Sequence, residues 1–454
     1  MKDTEYRKLG ELEHAEFHKL NHNDNLRRLI NTKFDCLCSF LHRDRKSIEQ
    51  YQLEQIKKLV DYAYINIPLY KKKYDAVGYK VGSIKTFDDF YKLPLLYKEE
   101  LINGFPNEIV KDVADFKFST RSSGSSGKFL TLAVDLDAIY TDTLQGIRQF
   151  IQQSNGEYKK EDTVLFIYTC PWWIKDIEGN YKLDYLPTTT KPLDAIEYIK
   201  KTHPFIISTY PTYLQRFCDF DIKLSDYGVK FVIVHSEQST KQLRDDMSKK
   251  LGVIVLDEYS SEELTRIALE CPKQTYHIEE DASFIEVIDI KTHRNISQGT
   301  GAVVGTNLLN YASPIIRYYQ GDIVSIDSSK RCDCGNNGRI VSEIKGRQMD
   351  CIISNNKTIA ASSFMDLAYN WFLTYKIPIQ GVKYQIIQTQ PDNICIYLSK
   401  GLYKLSEEDV DQIKNSMYSL VDKNINIELK FTDKFFYQSN KFKPVINLIG
   451  GYNE

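Results

Sequence analysis

The chain has 454 residues, 42% of them hydrophobic, enough to bury a large core in two or three domains. Its 59 Lys plus Arg against 61 Asp plus Glu argue against a general polyanion binder, so neither nucleic acid nor an anionic membrane surface is an expected partner. No run approaches the roughly 18 apolar residues of a bilayer span. Nine cysteines, an odd number spread over a long chain, fit a reducing cytoplasm rather than a disulfide framework.

To about Leu101, apolar residues recur at helical spacing, as in Leu53, Ile56, Leu59, Val60 and Ala63, which predicts a mainly helical segment. From Phe116 to about Asp281, apolar β runs at 163–168, 205–208, 231–234 and 253–256 alternate with helical segments such as 213–220 and 241–251. That rhythm predicts βαβ units around a mostly parallel sheet, with ligands at the loops after the strand carboxyl ends. From 284 to 344 short strands with Gly and Asn turns predominate, and the pattern resets after Gly346-Arg347. A helix near 364–372, strands at 382–388 and 394–398, and an amphipathic helix at 406–421 complete the chain. The fold class expected is α/β. A large N-terminal domain, 1–346, has mixed or parallel sheets flanked by helices; a hinge at 347–350 leads to a small mobile α+β C-terminal lid domain, 351–454.

Ser119-Thr120-Arg121-Ser122-Ser123-Gly124-Ser125-Ser126-Gly127-Lys128 lies between two strand-like runs. Its glycines let backbone N–H groups converge, its hydroxyls add donors, and Arg121 and Lys128 supply the charge that suits a polyphosphate. A flexible Ser/Gly connector is the plain alternative. The strand-to-helix setting and Gly-Lys-Ser/Thr ending of a Walker loop are missing, which disfavours a P-loop kinase or GTPase. Separately, Cys271 and His277 at C-x5-H spacing, with Cys332 and Cys334 as C-x-C, make a plausible tetrahedral Zn2+ set; unmetallated cysteines are the alternative.

In this order the segments resemble the adenylate-forming superfamily of acyl-CoA synthetases, specifically its phenylacetate-coenzyme A ligase-like branch. Leu59-Val60-Asp61-Tyr62-Ala63, Ile67-Pro68-Leu69-Tyr70 and Leu93-Pro94-Leu95-Leu96-Tyr97-Lys98 resemble that branch's N-terminal signature, and Ser122 to Lys128 its phosphate loop. Asp257-Glu258-Tyr259-Ser260-Ser261-Glu262-Glu263 is similar to the family's Tyr-Gly-x-x-Glu segment. The resemblance places Tyr259 near adenine and Glu263, with Glu262 as runner-up, on Mg2+; Ser260 stands at the usual glycine. Pro314 to Asp322 looks like the Tyr-Arg-Thr-Gly-Asp segment, whose aspartate, here Asp322, grips the ribose; Tyr319 and Gln320 depart from the pattern.

Gly346-Arg347 resembles the opening of the interdomain hinge, with Met349 at the commonly acidic pivot. Ser439-Asn440-Lys441-Phe442-Lys443-Pro444-Val445 resembles the motif of the lid's catalytic lysine, which makes Lys441 the choice and Lys443 the alternative. Ser236, Glu237 and Arg347 are assigned with them to the nucleotide. Tyr168, Trp172, Tyr210 and His235, at predicted strand ends, either line an apolar acid pocket or are simple core. Similar Cys and His positions recur in the branch, which supports the zinc set.

The resemblance implies activation of an aryl or medium-sized apolar carboxylic acid by ATP and Mg2+ to acyl-AMP, with release of pyrophosphate. Acyl transfer to a thiol follows, most simply that of coenzyme A. The alternatives are a carrier-protein thiol, an amine, or a non-catalytic nucleotide-binding relative.

Overall fold

The computed structural model describes residues 16, 17, 19, 20, 22–112, 118–121, 130–355, 357–375, 384–400, 405–437 and 442–449. Helices come first. The longest, α1 (Arg45–Asn66), begins at Asp44, whose carboxylate accepts the Ser47 N–H at 3.0 Å, and stops where Ile67 turns extended before Pro68. Ile56, Leu59, Val60 and Ala63 share its buried face and join a core that includes Phe284, Ile316 and Val324. An antiparallel ribbon, β1 (Phe118–Arg121) with β2 (Thr131–Val134), leads to α2 (Leu136–Gln153), capped by Asp135 at the Ala138 N–H.

Five strands then lie parallel in the order β4-β3-β5-β6-β7: β3 (Thr163–Tyr168), β4 (Lys182–Pro187), β5 (Ile206–Thr209), β6 (Phe231–His235) and β7 (Ile254–Ser261). Alternation sorts their side chains between two layers. Leu165, Ile167, Val232 and Val234 pack on α3 (Pro192–Thr202) and α4 (Lys241–Leu251) through Ile196, Ile199, Met247 and Leu251. Val164, Phe166, Phe231 and Ile233 pack on α2 through Ile139, Leu144 and Ile147.

Beyond β7 the sheet becomes antiparallel, which differs from the mostly parallel sheet that the strand–helix rhythm predicts. β8 (Thr265–Glu270), β9 (Tyr276–Ile278), β10 (Ser283–Ile288), β11 (Gln298–Asn307), β12 (Tyr318–Asp327) and β13 (Ile340–Arg347) extend it in the order β7-β8-β9-β13-β12-β11-β10, making 11 strands. Ser261 pairs with Thr265, leaving three residues between β7 and β8, far too few for a parallel crossover. Nor are these strands uniformly short: β11 and β12 have 10 residues each.

A separate four-stranded sheet, β18-β17-β16-β19, follows a small hairpin of β14 (Ile352–Ser354) and β15 (Lys357–Ile359). Its strands are β16 (Tyr384–Gln390), β17 (Asn393–Ser399), β18 (Asn426–Thr432) and β19 (Val445–Asn447), with α5 (Ala361–Thr374) and α6 (Glu407–Met417) packed against them. Ile352, Phe364, Ile386, Ile396, Ile413 and Met417 form an apolar core there.

One polar cluster fastens α2 to the sheet. Arg148, fully buried, donates from Nη1 and Nη2 to Asp281 at 2.6 and 2.8 Å and also to Glu279, while Nη1 reaches the Leu37 carbonyl at 3.0 Å. Removing the guanidinium strands two buried carboxylates, which costs about 3–5 kcal/mol. Arg148→Met is therefore expected to lose about that much stability in urea unfolding, whereas Lys19→Met, in an exposed ion pair, changes it by less than about 1 kcal/mol.

Candidate active site

A cavity of about 2560 Å³ lies at the carboxyl ends of β3, β5, β6 and β7 and extends to residues 346–350. It sits where parallel strands leave their backbone ends and connecting loops to a ligand. Of the predicted phosphate loop, Ser122, Ser123, Gly124, Ser125, Ser126, Gly127 and Lys128 lie outside the described residues. Arg121 and Thr131, which bracket it, pair across the β1–β2 ribbon, and Ser119, Thr120 and Arg121 line the cavity.

The β7–β8 turn carries both acidic candidates. The Leu264 N–H is taken by the Ser261 hydroxyl at 3.1 Å, and Thr265 adopts φ +57, a left-handed conformation that closes three-residue hairpins and is costly for a β-branched residue. Leu264 anchors the turn. It is fully buried over Gly305 of β11, where a Cβ would come within 2.1 Å of its methyl. The two carboxylates separate: Glu262 accepts the Thr120 hydroxyl and ties the turn to the β1–β2 ribbon, while Glu263 is buried and accepts the Tyr318 hydroxyl at 3.2 Å. Ser260, at the position of the usual glycine, stays within β7 and pairs with Arg266 beside a register shift.

Tyr259 donates its hydroxyl to Asp322 Oδ2 at 2.6 Å, and Gln320 donates to the same oxygen at 2.8 Å. Burial, reinforced by Asp322, pushes the Tyr259 phenol well above its usual range, so it remains a donor. Arg347 stands across from Asp322, its Nε 3.5 Å from Oδ1. Tyr319, which departs from the family pattern, donates to Gln348 at 2.6 Å and so joins β12 to the turn that holds Met349. Gly346 has φ +99 and lies so close to Gln238 that a Cβ would meet its amide oxygen at 2.8 Å. Ser236 follows β6 with φ +68 and bonds to His235 Nδ1 at 2.9 Å, whereas the Glu237 carboxylate accepts the Thr212 hydroxyl at 2.6 Å.

Lys441 lies outside the described residues; Lys443 does not. Lys443 Nζ is paired with Asp350 at 2.8 and 2.9 Å, joining the segment before β19 to the turn after β13. Lys98 also lines the cavity, and its ammonium is pushed below the usual lysine range, chiefly by burial and further by Arg347 and Lys443, with Glu263 pulling the other way. The sequence signals Lys98 only as the last residue of the segment Leu93 to Lys98; nothing in that spacing tells that it approaches a carboxylate 165 positions later.

Tyr168, Trp172, Tyr210 and His235 do come together. Ring centroids lie 5.1 Å apart for Tyr168 and His235 and 5.2 Å for Tyr168 and Tyr210, and Phe166 bridges His235 to Trp172 at 6.1 and 5.4 Å. All line the cavity. The wall continues at Arg266, whose guanidinium lies 5.5 Å from the Trp172 ring centre.

Away from this wall, the end of β8, β9 and the β12–β13 loop bring Cys271, His277, Cys332 and Cys334 together. Their ligand atoms all lie within 4.8 Å of one another, with Cys271 Sγ 3.8 Å from Cys332 Sγ and Cys334 Sγ 3.2 Å from His277 Nε2. A tetrahedral ion with bonds of about 2.3 Å sets its ligand atoms about 3.8 Å apart, so the donor set fits Zn2+. His277 Nδ1 faces the Gly338 carbonyl at 3.4 Å, which leaves Nε2 for a metal. All nine cysteines are free thiols, and among the described residues no helix is long and apolar enough to cross a membrane.

No family model matches the chain. It is 26% identical over 330 residues to a phenylacetate-coenzyme A ligase of Pseudomonas putida, covering 68% of this chain and 72% of that protein. To the phenylacetate-coenzyme A ligase of Aromatoleum evansii it is 27% identical over 318 residues, 66% of this chain and 71% of the relative. Among solved structures, a 2-hydroxyisobutyryl-CoA ligase in the postadenylation state, in complex with 2-HIB-AMP, superposes with a TM-score of 0.73 at 14% identity, over 89% of this chain and 90% of that one.

Proposed function

The chain belongs to the adenylate-forming superfamily, in its phenylacetate-coenzyme A ligase-like branch, and from that premise we propose how its residues activate a carboxylic acid with ATP and pass the acyl group to coenzyme A. The observation that carries the reading is the convergence of Glu263, the Tyr259–Asp322 pair and Arg347 on one cavity at the strand ends. Attack of the acid on the ATP α-phosphorus spreads negative charge over phosphate oxygens, and preorganised cations and donors lower that barrier most.

Glu263 would hold Mg2+, the position to which the Tyr-Gly-x-x-Glu likeness assigns it, with Glu262 beside it in the cavity lining. When bound, the ion would neutralise phosphate charge. Asp322, oriented by the Tyr259 hydroxyl, accepts the ribose hydroxyls, and Ser236 and Glu237 border the base. Lys98 and Arg347 add positive charge next to Glu263, and the Ser/Gly-rich segment from Ser122 to Lys128 is assigned to the polyphosphate by its composition of donors and charge. Lys441 is the lid lysine that reaches the reacting phosphate, because Lys443 is already committed to Asp350. A lid of residues 351–454 turning about 347–350 withdraws Lys441 after pyrophosphate leaves and admits the thiol. The thiol displaces AMP directly, so no cysteine of this chain is needed as a nucleophile. Coenzyme A is preferred as acceptor because the relatives bear the name of coenzyme A ligases. A reducing cytoplasm suits nine free thiols.

ATP–pyrophosphate exchange over a panel of acids tests the assignment. Exchange is expected to depend on acid and Mg2+, and to fall at least about 100-fold in Lys441→Ala and in Glu263→Gln; Lys443→Ala should fall far less. Equal losses at Lys441 and Lys443 would refute the choice between the lysines. The cysteine and histidine set is assigned a structural Zn2+, with one ion per chain expected by elemental analysis and less than half of that in Cys334→Ser, together with a lowered Tm. Purified chain free of zinc and equally heat-stable with chelator would reject it.

A further inference from the structure

The aromatic wall suggests an apolar acid, but the surface at its end is charged. Cavity-lining residues of α2 there are Asp142, Gly146 and Gln149, and β8 contributes Arg266, whose side chain is only 5% exposed. Arg266 Nε donates to Gln149 at 2.6 Å; Nη1 donates to the Asp142 carboxylate and, at 3.2 Å, to the Asp142 carbonyl. Gln149 passes the connection on, donating to Glu258 at 2.6 Å. Nη2 makes no hydrogen bond among the described residues, and it lies where a Cβ on Gly146 would come within 2.6 Å.

Glycine inside a helix costs about 1 kcal/mol relative to alanine. At position 146 it makes room for the guanidinium, and it leaves the cavity open where Nη2 and Trp172 meet. A purely structural arginine would be satisfied by Asp142 and Gln149. A desolvated N–H facing an apolar acyl group would go unpaired, at about 1–3 kcal/mol.

We propose that the acid activated here carries a neutral oxygen acceptor, a hydroxyl or a carbonyl, on the part of its acyl group that enters this lobe, and that Arg266 Nη2 donates to it. The inference rests on the acid-activating reading above and names its substrate class. An anionic substituent is disfavoured because the carboxylates of Asp142 and Glu258 already face this lobe, and although burial disfavours its charge, Glu258 is held below the usual carboxylate range by His235, Arg266 and the Gln149 amide. A cationic substituent would meet the guanidinium itself. Arg266 is thereby a specificity residue, and Phe166, Tyr168 and Trp172 supply the apolar surface around the oxygen-bearing group.

The test compares kcat/KM for thioester formation between acids that differ by one oxygen, such as phenylacetate against its ring-hydroxylated forms and hexanoate against its hydroxy and oxo derivatives. Wild type is expected to prefer an oxygenated member by at least about tenfold. That preference should shrink to within about twofold in Arg266→Met. Gly146→Ala, which keeps every charge but displaces Nη2, should erode it as well and covers the case in which Arg266→Met does not fold. Preference for the bare acids in wild type, or a preference that survives both substitutions, overturns the inference. Pyrophosphate exchange run with the same acids separates the two readings: exchange indifferent to the oxygen leaves acid activation standing and defeats only the substrate class, whereas no exchange with any acid defeats both.

Discussion

Between β7 and β8 the sheet stops running parallel, and three residues, Glu262 to Leu264, reverse the chain within hydrogen-bonding distance of its own strand. Much of the site follows from that reversal. Strand alternation sends Asp257 toward Tyr276 and Glu258 toward Gln149 on α2, and the next residue, Tyr259, reaches Asp322. The turn sets Glu263 inward and ties Glu262 to Thr120. Immediately after it, Arg266 enters the cavity from β8. Within the ten residues from Asp257 to Arg266, all but buried Leu264 line one cavity. The turn is fixed by buried Leu264 against Gly305 and by the left-handed Thr265, so a larger residue at 305 would disturb both ends together.

Charge is managed in the same economical way. Arg148, Arg266 and Arg317 are each buried and each face carboxylates from another part of the chain: Asp281 and Glu279, Asp142, and Glu286. Pairs of this kind add little net stability against apolar replacements, yet breaking one is expensive, so they specify which elements meet. Arg148 and Arg317 direct both terminal Nη groups to carboxylates and backbone carbonyls. Arg266 differs in that its Nη2 makes no hydrogen bond among the described residues.

Much of the fold is legible in the sequence because apolar spacing reports it directly. The β runs at 163–168 and 231–234 match β3 and β6, and the helical spacing of Leu59, Val60 and Ala63 matches α1. The antiparallel half of the sheet is not legible from the rhythm, because strand pairing between β9 and β13 joins residues more than 60 positions apart. Family likeness brings Glu263, Asp322 and Arg347 to one place, and C-x5-H with C-x-C spacing brings four ligands within reach. Lys98 and Arg266 escape such reading. Their places in the cavity wall depend on what faces them in space, Glu263 in one case and Gly146 in the other, and neither pairing leaves a periodic trace.

The central claim is that an acid and ATP become an enzyme-held acyl-AMP before any thiol takes part. A rapid-quench single turnover with α-labelled ATP, Mg2+ and acid, but no coenzyme A, measures this most directly. The account predicts an acid-dependent labelled adenylate approaching one per chain, discharged to AMP when coenzyme A is added. Labelled ADP in its place, or AMP that forms equally well without acid, would contradict it.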